Sequence, residues 1–228
     1  MNNPAISDRF KDAPWMGMSN NLHIHVLGLG GIGSNAFYYL YKTIPATYYI
    51  QDMDMVEELN VGTQFYSIDD VGKTKVQAAY DRMLKFVGNN NDRYIQSLTG
   101  KFDTGDTTLD YVISGLDNMK TRKDIYESWK KNPTRKLLID GRLRAEYYEI
   151  FIVTPGREEE YEKTLFGDSE AESGPCTFKQ TAYFGGLIGA RITHVLVNYL
   201  SNLAYGEELY ALPFMIKEFG NLMQFETK

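Results

Sequence analysis

The stretch VLGLGGIGSNAFYYLYKTIPATYYIQDMD, residues 26–54, decides the fold of this chain. An apolar segment over 22–28 is typical of a buried strand, and the motif G-x-G-x-x-G follows it at 28–33. Residues 34–43 place apolar side chains at helical spacing, and 46–52 are a second strand-like segment. The order strand, glycine turn, helix and strand predicts a parallel β-α-β unit.

The later segments extend this unit into a Rossmann-like α/β sheet. Helical spacing at 73–86 and 118–131 alternates with strand-like runs, which predicts a mostly parallel sheet flanked by helices. Alternating residues at 147–155 predict that antiparallel strands continue the sheet, and 212–228 resembles a terminal hairpin. The other strand-like runs are 92–100, 109–117 and 136–141.

We expect a single domain over residues 1–228. The composition, 43% hydrophobic and 24% charged, is ordinary for a globular chain that buries one substantial core. The stretch 155–176 is acidic and contains glycine, serine and proline, so we expect a mobile acidic loop there. An apolar helix over 178–203 follows, and an interruption is expected near Gly185-Gly186.

Charge and cysteine content exclude several partners. The net charge of -6 and pI near 5.2 leave no basic footprint, so no nucleic acid is expected. The N-terminus lacks an apolar signal-peptide core, and charged Arg191 interrupts the most apolar later stretch, so we expect no membrane interaction and a cytoplasmic location. The single cysteine, Cys176, cannot form the paired-cysteine sites that hold zinc, so no zinc is expected.

The glycine loop and the end of the second strand form a candidate cofactor site. Glycines permit a tight turn and let N–H groups at the start of a helix approach a phosphate. Asp52 ends the second strand, where a carboxylate can accept from ribose hydroxyls. These features fit a dinucleotide for redox chemistry as well as ATP. The candidate binding glycines are Gly28, Gly30, Gly31 and Gly33.

A polar segment follows the second strand, and a redox Rossmann domain has no need for it. Its residues stand in the order Asp52-x-Asp54-x-Val56, Asn60, Gln64-Phe65 and Gly72-x-x-Lys75. In this order the segment resembles the ThiF/MoeB/ubiquitin-activating-enzyme superfamily of adenylating enzymes. Residues 112–122 resemble the strand of that family that ends in Asp-Asn, giving Asp117, with Arg122 a turn later.

The resemblance implies an ATP-dependent adenylyltransferase. In that family a C-terminal carboxylate of a small ubiquitin-like or sulfur-carrier protein, or of a peptide, attacks the α-phosphate of ATP and pyrophosphate leaves. Attack by an anion on a phosphate needs cationic and metal screening, so ATP and Mg²⁺ are the expected cofactors. The resemblance also implies a homodimer.

The same likeness assigns roles to residues of this chain. Asp52 is expected to hold the ribose, Asn60 and Lys75 to contact phosphates, and Asp117 to coordinate Mg²⁺. Bland alternatives stay open: Lys75 could be a solvated helix residue, Asp117 a helix cap and Asn60 a loop residue. Arg122 is interpreted as structural. The expected nucleotide-binding set also includes Asp54 and Gln64, and the catalytic set is Lys75, Asp117, Arg9 and Cys176.

One position departs from the family pattern. Thr63 stands where the family carries an arginine before Gln64, and a threonine cannot bring charge to the phosphates. Either another base replaces that arginine, with Lys73 and Arg9 as candidates, or adenylation is weak or lost. Arg9 would act from the N-terminal segment of the partner subunit, as an arginine does in dimers of the family.

Cys176 has two interpretations. Some relatives pass the activated carboxylate to a cysteine as a thioester or persulfide, and this thiol lies in the loop before the late helix. Lys179 lowers the thiol pKa while the acidic run before it opposes that effect, so a non-catalytic cysteine is the other interpretation.

Three other functions compete with the adenylyltransferase. Thr63 favours a weak or inactive nucleotide-binding scaffold subunit that pairs with an active partner. A relative acting on an RNA-borne carboxylate, such as a tRNA-modifying dehydratase, fits the acidic balance less well. An NAD-dependent oxidoreductase is favoured only by the glycine loop and Asp52.

Overall fold

A single mixed β-sheet organises the chain in the computed structural model, which describes residues 6–18, 21–88, 93–103, 108–166 and 181–228. The strands are β1 (His23–Leu27), β2 (Thr47–Asp52), β3 (Tyr94–Thr99), β4 (Tyr111–Ser114), β5 (Leu137–Arg144), β6 (Tyr147–Val153), β7 (Met215–Phe219) and β8 (Gln224–Thr227). Their order in the sheet is β3-β2-β1-β4-β5-β6-β7-β8.

The pairing confirms the predicted sheet. The pairs among β3, β2, β1, β4 and β5 are parallel, and β6, β7 and β8 continue antiparallel from β5. The last pair is the predicted terminal hairpin. The chain passes from β1 to β2 on one side and later places β4 on the other, so the sheet has a topological switch point between β1 and β4. Open α/β sheets bind ligands in the crevice at that point, beyond the carboxyl ends of the strands.

Helices cover both faces of the sheet. The helices are α1 (Gly33–Thr43), α2 (Glu58–Val61), α3 (Lys75–Val87), α4 (Met119–Lys131), α5 (Glu158–Glu162) and α6 (Ala182–Tyr205). On one face α1, α3 and α6 bury apolar side chains such as Phe37 and Ile192, and on the other α4 and α5 bury Trp129 and Tyr161. None of the helices in the described ranges is long and apolar enough to cross a membrane.

The expected interruption near Gly185-Gly186 is wrong, because α6 runs through both glycines. Gly185 and Gly189 serve packing against the glycine loop and α1. A Cβ at Gly185 would lie 2.9 Å from the carbonyl oxygen of Gly31, and one at Gly189 would lie 2.7 Å from the backbone nitrogen of Ala36. Missing side chains therefore let two helices approach closely.

The expected mobile loop over 155–176 starts as ordered structure. Residues 158–162 form α5, where Tyr161 is fully buried and its hydroxyl donates to Asp140 at 3.0 Å. Glu158, Glu159, Glu160 and Glu162 lie on this short helix, and the buried side chain of Tyr161 helps to anchor it to the sheet. Residues 167–176 lie outside the described part of the chain.

Two glycines of α6 give a matched test of this packing. We expect Gly189→Ala to lower the free energy of unfolding by about 1–3 kcal/mol, because the new methyl group meets α1 backbone. Gly186→Ala is the control, since its Cβ would lie 3.8 Å from the nearest atom, and it should be neutral or raise stability by up to about 1 kcal/mol. Urea unfolding measures both; equal effects of the two substitutions would contradict the packing role.

Candidate nucleotide-binding site

Two glycines of the loop between β1 and α1 are required by packing. Gly28 has φ +83, and a Cβ there would lie 2.9 Å from the Leu116 side chain. A Cβ at Gly33 would lie 1.8 Å from the carbonyl oxygen of Gly28, which excludes any side chain. Gly30 differs, because no atom lies within 4 Å of its Cβ position. Neighbouring atoms therefore fill the space around Gly28 and Gly33, whereas the side of the loop that Gly30 faces is open.

The open side of this loop presents backbone N–H groups. The structure shows no acceptor for the N–H groups of Gly30, Gly31 and Ile32 among the residues it describes. α1 begins without a side-chain cap, since Ile32 precedes it. The first N–H groups of a helix carry partial positive charge and bind anions. The arrangement fits a phosphate.

Asp52 holds the glycine loop from the end of β2. Its Oδ2 accepts from the backbone N–H of Leu29 at 2.6 Å, and its Oδ1 accepts from that of Asp54 at 2.8 Å. Each carboxylate oxygen has a further acceptor position. Asp52 therefore stabilises the loop and can still accept from a ribose hydroxyl, the role predicted for it.

Three supporting residues escaped the sequence prediction. Ser34 donates to the Gly30 carbonyl at 2.7 Å and accepts from the Phe65 N–H at 3.0 Å. The side chain of Asn35 donates to the Gly31 carbonyl at 2.7 Å. Ser34 and Asn35 directly follow the glycines, which is a signal that could have found them.

Tyr66 is the third supporting residue, and no local pattern marks it. Its hydroxyl donates to the Leu29 carbonyl at 2.9 Å. Burial, with the nearby carboxylates of Asp52 and Asp70, raises the pKa of Tyr66 well above its ordinary value. The phenol therefore stays protonated and remains a donor to the loop.

Lys75 opens α3 and points its ammonium group to the same crevice. Its Nζ lies 2.8 Å from Asp54 Oδ2, and its backbone N–H donates to the Asp54 carbonyl at 2.9 Å. The Lys75 side chain is only 8% exposed, whereas that of Asp54 is 54% exposed. The alternative of a solvated surface lysine is wrong, because the residue is a buried cation with one exposed counterion.

Asn60 and Gln64 lie in the segment after β2. The Asn60 side chain accepts from the Glu57 N–H at 2.9 Å and thereby forms a capping box with Glu57, the N-cap of α2. Gln64 follows it, and its buried Oε1 has no hydrogen-bond partner in the described ranges. Gln64 lines a cavity of about 540 Å³ between α1 and α6, together with Thr63. The phosphate role of Asn60 stays a prediction.

Asp117 lies in the loop after β4 and is exposed. The helix cap is Asn118, which accepts from the Thr121 N–H at 2.9 Å, so the interpretation of Asp117 as the cap is wrong. This loop lies against the glycine loop, because Gly115 donates to the Leu27 carbonyl at 2.9 Å. The predicted metal ligand is therefore exposed on a loop that packs against the glycine loop, and its side chain has no hydrogen bond to the residues that the structure describes.

The two candidates to replace the arginine missing at position 63 lie in different surroundings. Lys73 lies 3.3 Å from Asp70 and 3.5 Å from Asp81, so two carboxylates already engage its charge. Arg9 is exposed on the 3-10 helix Ile6–Phe10, and its role from a partner subunit stays a prediction. Cys176 lies outside the described residues.

Fold and site together define a Rossmann-like α/β protein whose glycine loop, at the switch point of the sheet, is built for an anion. The model of the ThiF family matches residues 15–225, and the chain belongs to the ThiF family. The predicted superfamily is thereby confirmed.

Curated relatives match part of this chain. The ubiquitin-like modifier-activating enzyme 5 of Drosophila persimilis is 27% identical over 117 residues, 45% of this chain and 30% of that protein. The tRNA threonylcarbamoyladenosine dehydratase of Haemophilus influenzae is 29% identical over 125 residues, 52% of this chain and 47% of that protein. The chain spans less than half the length of either relative.

Solved structures match the whole fold. The crystal structure of E. coli MccB with ATP has a TM-score of 0.71 and 18% identity, covering 100% of this chain and 71% of that one. MccB in complex with N-formylated MccA has a TM-score of 0.71 and 17% identity, with 100% and 72% covered. At this identity the likeness supports the fold.

Asp70 fixes the turn that leads to Lys75, and its charge gives a pH test. Burial opposes ionisation, but hydrogen bonds from Ser67 and the ion pair with Arg82 outweigh it and lower the pKa of Asp70 well below its ordinary value. A carboxyl group whose pKa is depressed by folding stabilises the fold above its unfolded pKa of about 3.9, and this contribution is lost as the pH falls through the folded pKa.

We therefore expect Asp70→Asn to lower the free energy of unfolding by about 1–3 kcal/mol at pH 7. Between about pH 4 and pH 2 the variant should lose less stability than wild type, because it lacks this titrating group. Urea unfolding across that range measures both. Exposed Asp69→Asn is the control, and an equal pH dependence for Asp70→Asn and wild type would contradict the role of Asp70.

Proposed function

We propose that this chain is an ATP-dependent adenylyltransferase that activates the C-terminal carboxylate of a small ubiquitin-like or sulfur-carrier protein, or of a peptide. A carboxylate oxygen forms a bond to the α-phosphorus of ATP while the bond to the bridging oxygen breaks, and pyrophosphate leaves with the electron pair. The observation that carries the proposal is the glycine loop at the switch point. Its N–H groups at Gly30, Gly31 and Ile32 have no acceptor in the described part of the chain, Asp52 bonds to it, and the loop that leads to Asp117 packs against it.

The electrostatics of the crevice fit this reaction. The N–H groups at the start of α1 and the ammonium group of Lys75 supply positive charge for the phosphates. Asp54 holds Lys75 but is itself half exposed, so phosphate oxygens can compete for the same ammonium group. Asp52 remains available to the ribose.

The residues present also fit Mg²⁺. Carboxylate and phosphate oxygens are the ligands that Mg²⁺ prefers, and it commonly takes one or two protein carboxylates beside a nucleotide. No group of three or more potential metal-ligating side chains occurs in the described ranges, so a bound metal would depend on phosphate oxygens together with Asp117. When bound, Mg²⁺ neutralises charge that develops on the leaving pyrophosphate.

The comparisons support a protein or peptide substrate. The chain belongs to the ThiF family, one relative is named as an activating enzyme for a ubiquitin-like modifier, and the structural neighbour is described with ATP and with MccA. A homodimer with Arg9 donated by the partner subunit and a cytoplasmic location belong to the same proposal. The relatives extend beyond this chain, so the identity of the substrate is left to experiment.

Calorimetric titration separates ATP from NAD⁺. We expect wild type to bind ATP with Mg²⁺ and not NAD⁺, and Asp52→Ala to bind ATP at least about 10-fold more weakly, because the loop loses its two anchoring bonds and the ribose loses an acceptor. Exposed Asp69→Ala should bind as wild type does. Binding of NAD⁺ alone would overturn the proposal.

Removal of the candidate metal ligand tests catalysis. With a β-grasp carrier protein ending in glycine, and with a short peptide, as probes, we expect Asp117→Asn to lower the rate of adenylate formation by about 10²–10³-fold. The fold should be spared because Asp117 is exposed and does not cap α4. Asp69→Asn is the matched control, and adenylate formation by Asp117→Asn at the wild-type rate would sink the assignment.

A catalytically weak or inactive nucleotide-binding scaffold is the second candidate function. It is favoured by Thr63, which brings no charge, and by Lys73, whose charge is engaged by Asp70 and Asp81. Binding of ATP by the purified protein without adenylate formation would favour the scaffold. Turnover by the purified homomeric protein would argue against it.

A further inference from the structure

A buried ion cluster lies behind the loop that carries Asp117. The carboxylate of Asp140 in β5 is fully buried, and the guanidinium groups of Arg122 and Arg142 flank it. Arg142 Nε donates to Asp140 Oδ2 at 3.0 Å, and the hydroxyl of Tyr161 donates to the same oxygen at 3.0 Å. Arg122 Nε lies 3.1 Å from Asp140 Oδ1 as an ion pair, although the two groups are not aligned as a hydrogen bond.

Stability alone does not explain the composition of this cluster. Two guanidinium groups and one carboxylate leave a net charge of +1 in a region where Arg122 is 5% and Arg142 14% exposed. Apolar residues of similar volume stabilise a core as well as or better than buried ion pairs do. The role of the cluster is therefore inferred from the groups to which the two guanidinium groups donate hydrogen bonds.

Arg142 holds the end of the α5 segment. Its Nη1 donates to the carbonyl oxygen of Thr164 and its Nη2 to the Thr164 hydroxyl, both at 3.0 Å. The same guanidinium group lies over the ring of Phe151, 4.4 Å from its centroid. The role of Arg142 is thus explained by anchoring α5 to the sheet.

Arg122 holds a different part of the chain. Its Nη2 donates to the carbonyl oxygen of Leu116, in close contact, and lies 3.3 Å from the carbonyl oxygen of Gly141. Leu116 immediately precedes Asp117 and contacts the position of Gly28 in the glycine loop. Among the described residues no hydrogen bond involves Asp117 itself, so its backbone is held by its two neighbours: by the Leu116 carbonyl, which Arg122 binds, and by Asn118, which caps α4.

We infer that Arg122 is a positioning residue, oriented by Asp140, which holds the Leu116 carbonyl and thereby keeps the Asp117 carboxylate at the place beside the glycine loop where it binds the metal of metal–ATP. The inference deepens the proposed function and rests on it. It also explains why an arginine is needed: one planar guanidinium group reaches Asp140, Leu116 and Gly141 at once, which a single ammonium group cannot do.

The test uses Arg122→Lys, which keeps the charge but loses the planar fork. Arg135→Lys is the matched control, because Arg135 pairs with Glu158 at 2.8 Å and has no contact with the loop after β4. Affinity for Mn²⁺ is measured by electron paramagnetic resonance on the protein–ATP complex, beside ATP affinity in EDTA and urea unfolding. We expect Arg122→Lys to bind Mn²⁺ about 10-fold more weakly with little change in metal-free ATP affinity, since loss of a residue that supports a metal ligand typically weakens metal binding by about 10–100-fold.

A double-mutant cycle distinguishes positioning from general damage. On an Asp117→Asn background the Arg122→Lys effect on Mn²⁺ affinity should vanish, because the positioned ligand is already gone, whereas unrelated structural damage would add. Should Arg122→Lys fail to fold, Asp140→Asn, which keeps the shape of the side chain, must show the same selective loss of Mn²⁺ affinity.

The outcomes separate the two proposals. If wild type binds Mn²⁺ with ATP and the folded Arg122→Lys variant binds it equally, the positioning role is overturned and the proposed function stands. Equal additive losses on both backgrounds would also overturn the positioning role. If wild type binds neither ATP nor Mn²⁺ with ATP, the proposed function itself fails.

Discussion

Close contact between glycine backbones at the switch point is the constraint on which the rest of the site depends. The carbonyl of Gly28 occupies the space where Gly33 would carry a side chain, and a Cβ at Gly115 would lie 2.9 Å from the Gly33 nitrogen. The turn after β1, the start of α1 and the end of β4 are therefore joined through backbone atoms. This contact fills the space on the side of Gly28 and Gly33 and leaves the side of Gly30 open. It also brings the loop that carries Asp117 against the glycine loop.

A second glycine contact sets the position of α1 from outside. α6 crosses α1 at Gly185 and Gly189, where any side chain would meet α1 or the glycine loop. The same approach forms the cavity that Thr63 and Gln64 line. Small residues thus act twice, once in the glycine loop and once in the helix that supports it.

Three carboxylates near the site are already engaged by hydrogen bonds or ion pairs within the protein. Asp52 accepts from two N–H groups of adjoining loops, and Asp70 fixes the turn before α3 through Ser67 and Arg82. Asp140 organises two arginines on the other face of the sheet. Pairing and hydrogen bonds reduce the cost of burying these charges, whereas Asp117 is exposed and Asp54, the counterion of Lys75, is half exposed.

The sequence by itself determined the parallel unit, the order of strands and helices and the antiparallel continuation, because hydrophobic period and glycine spacing report local backbone geometry. The family followed from the resemblance of the polar motifs at 52–75 and 112–122. The sequence also placed Asp52 at the end of a strand and Lys75 at the start of a helix, where the structure has them, whereas Asp117 lies in the loop three residues after β4. Only the tertiary structure decided that α6 is unbroken and that Tyr66 and Arg122 support the site. Those outcomes depend on contacts between segments distant in sequence, such as Tyr66 with Leu29 and Arg122 with Asp140, and a local pattern carries no record of which distant group will satisfy a buried donor.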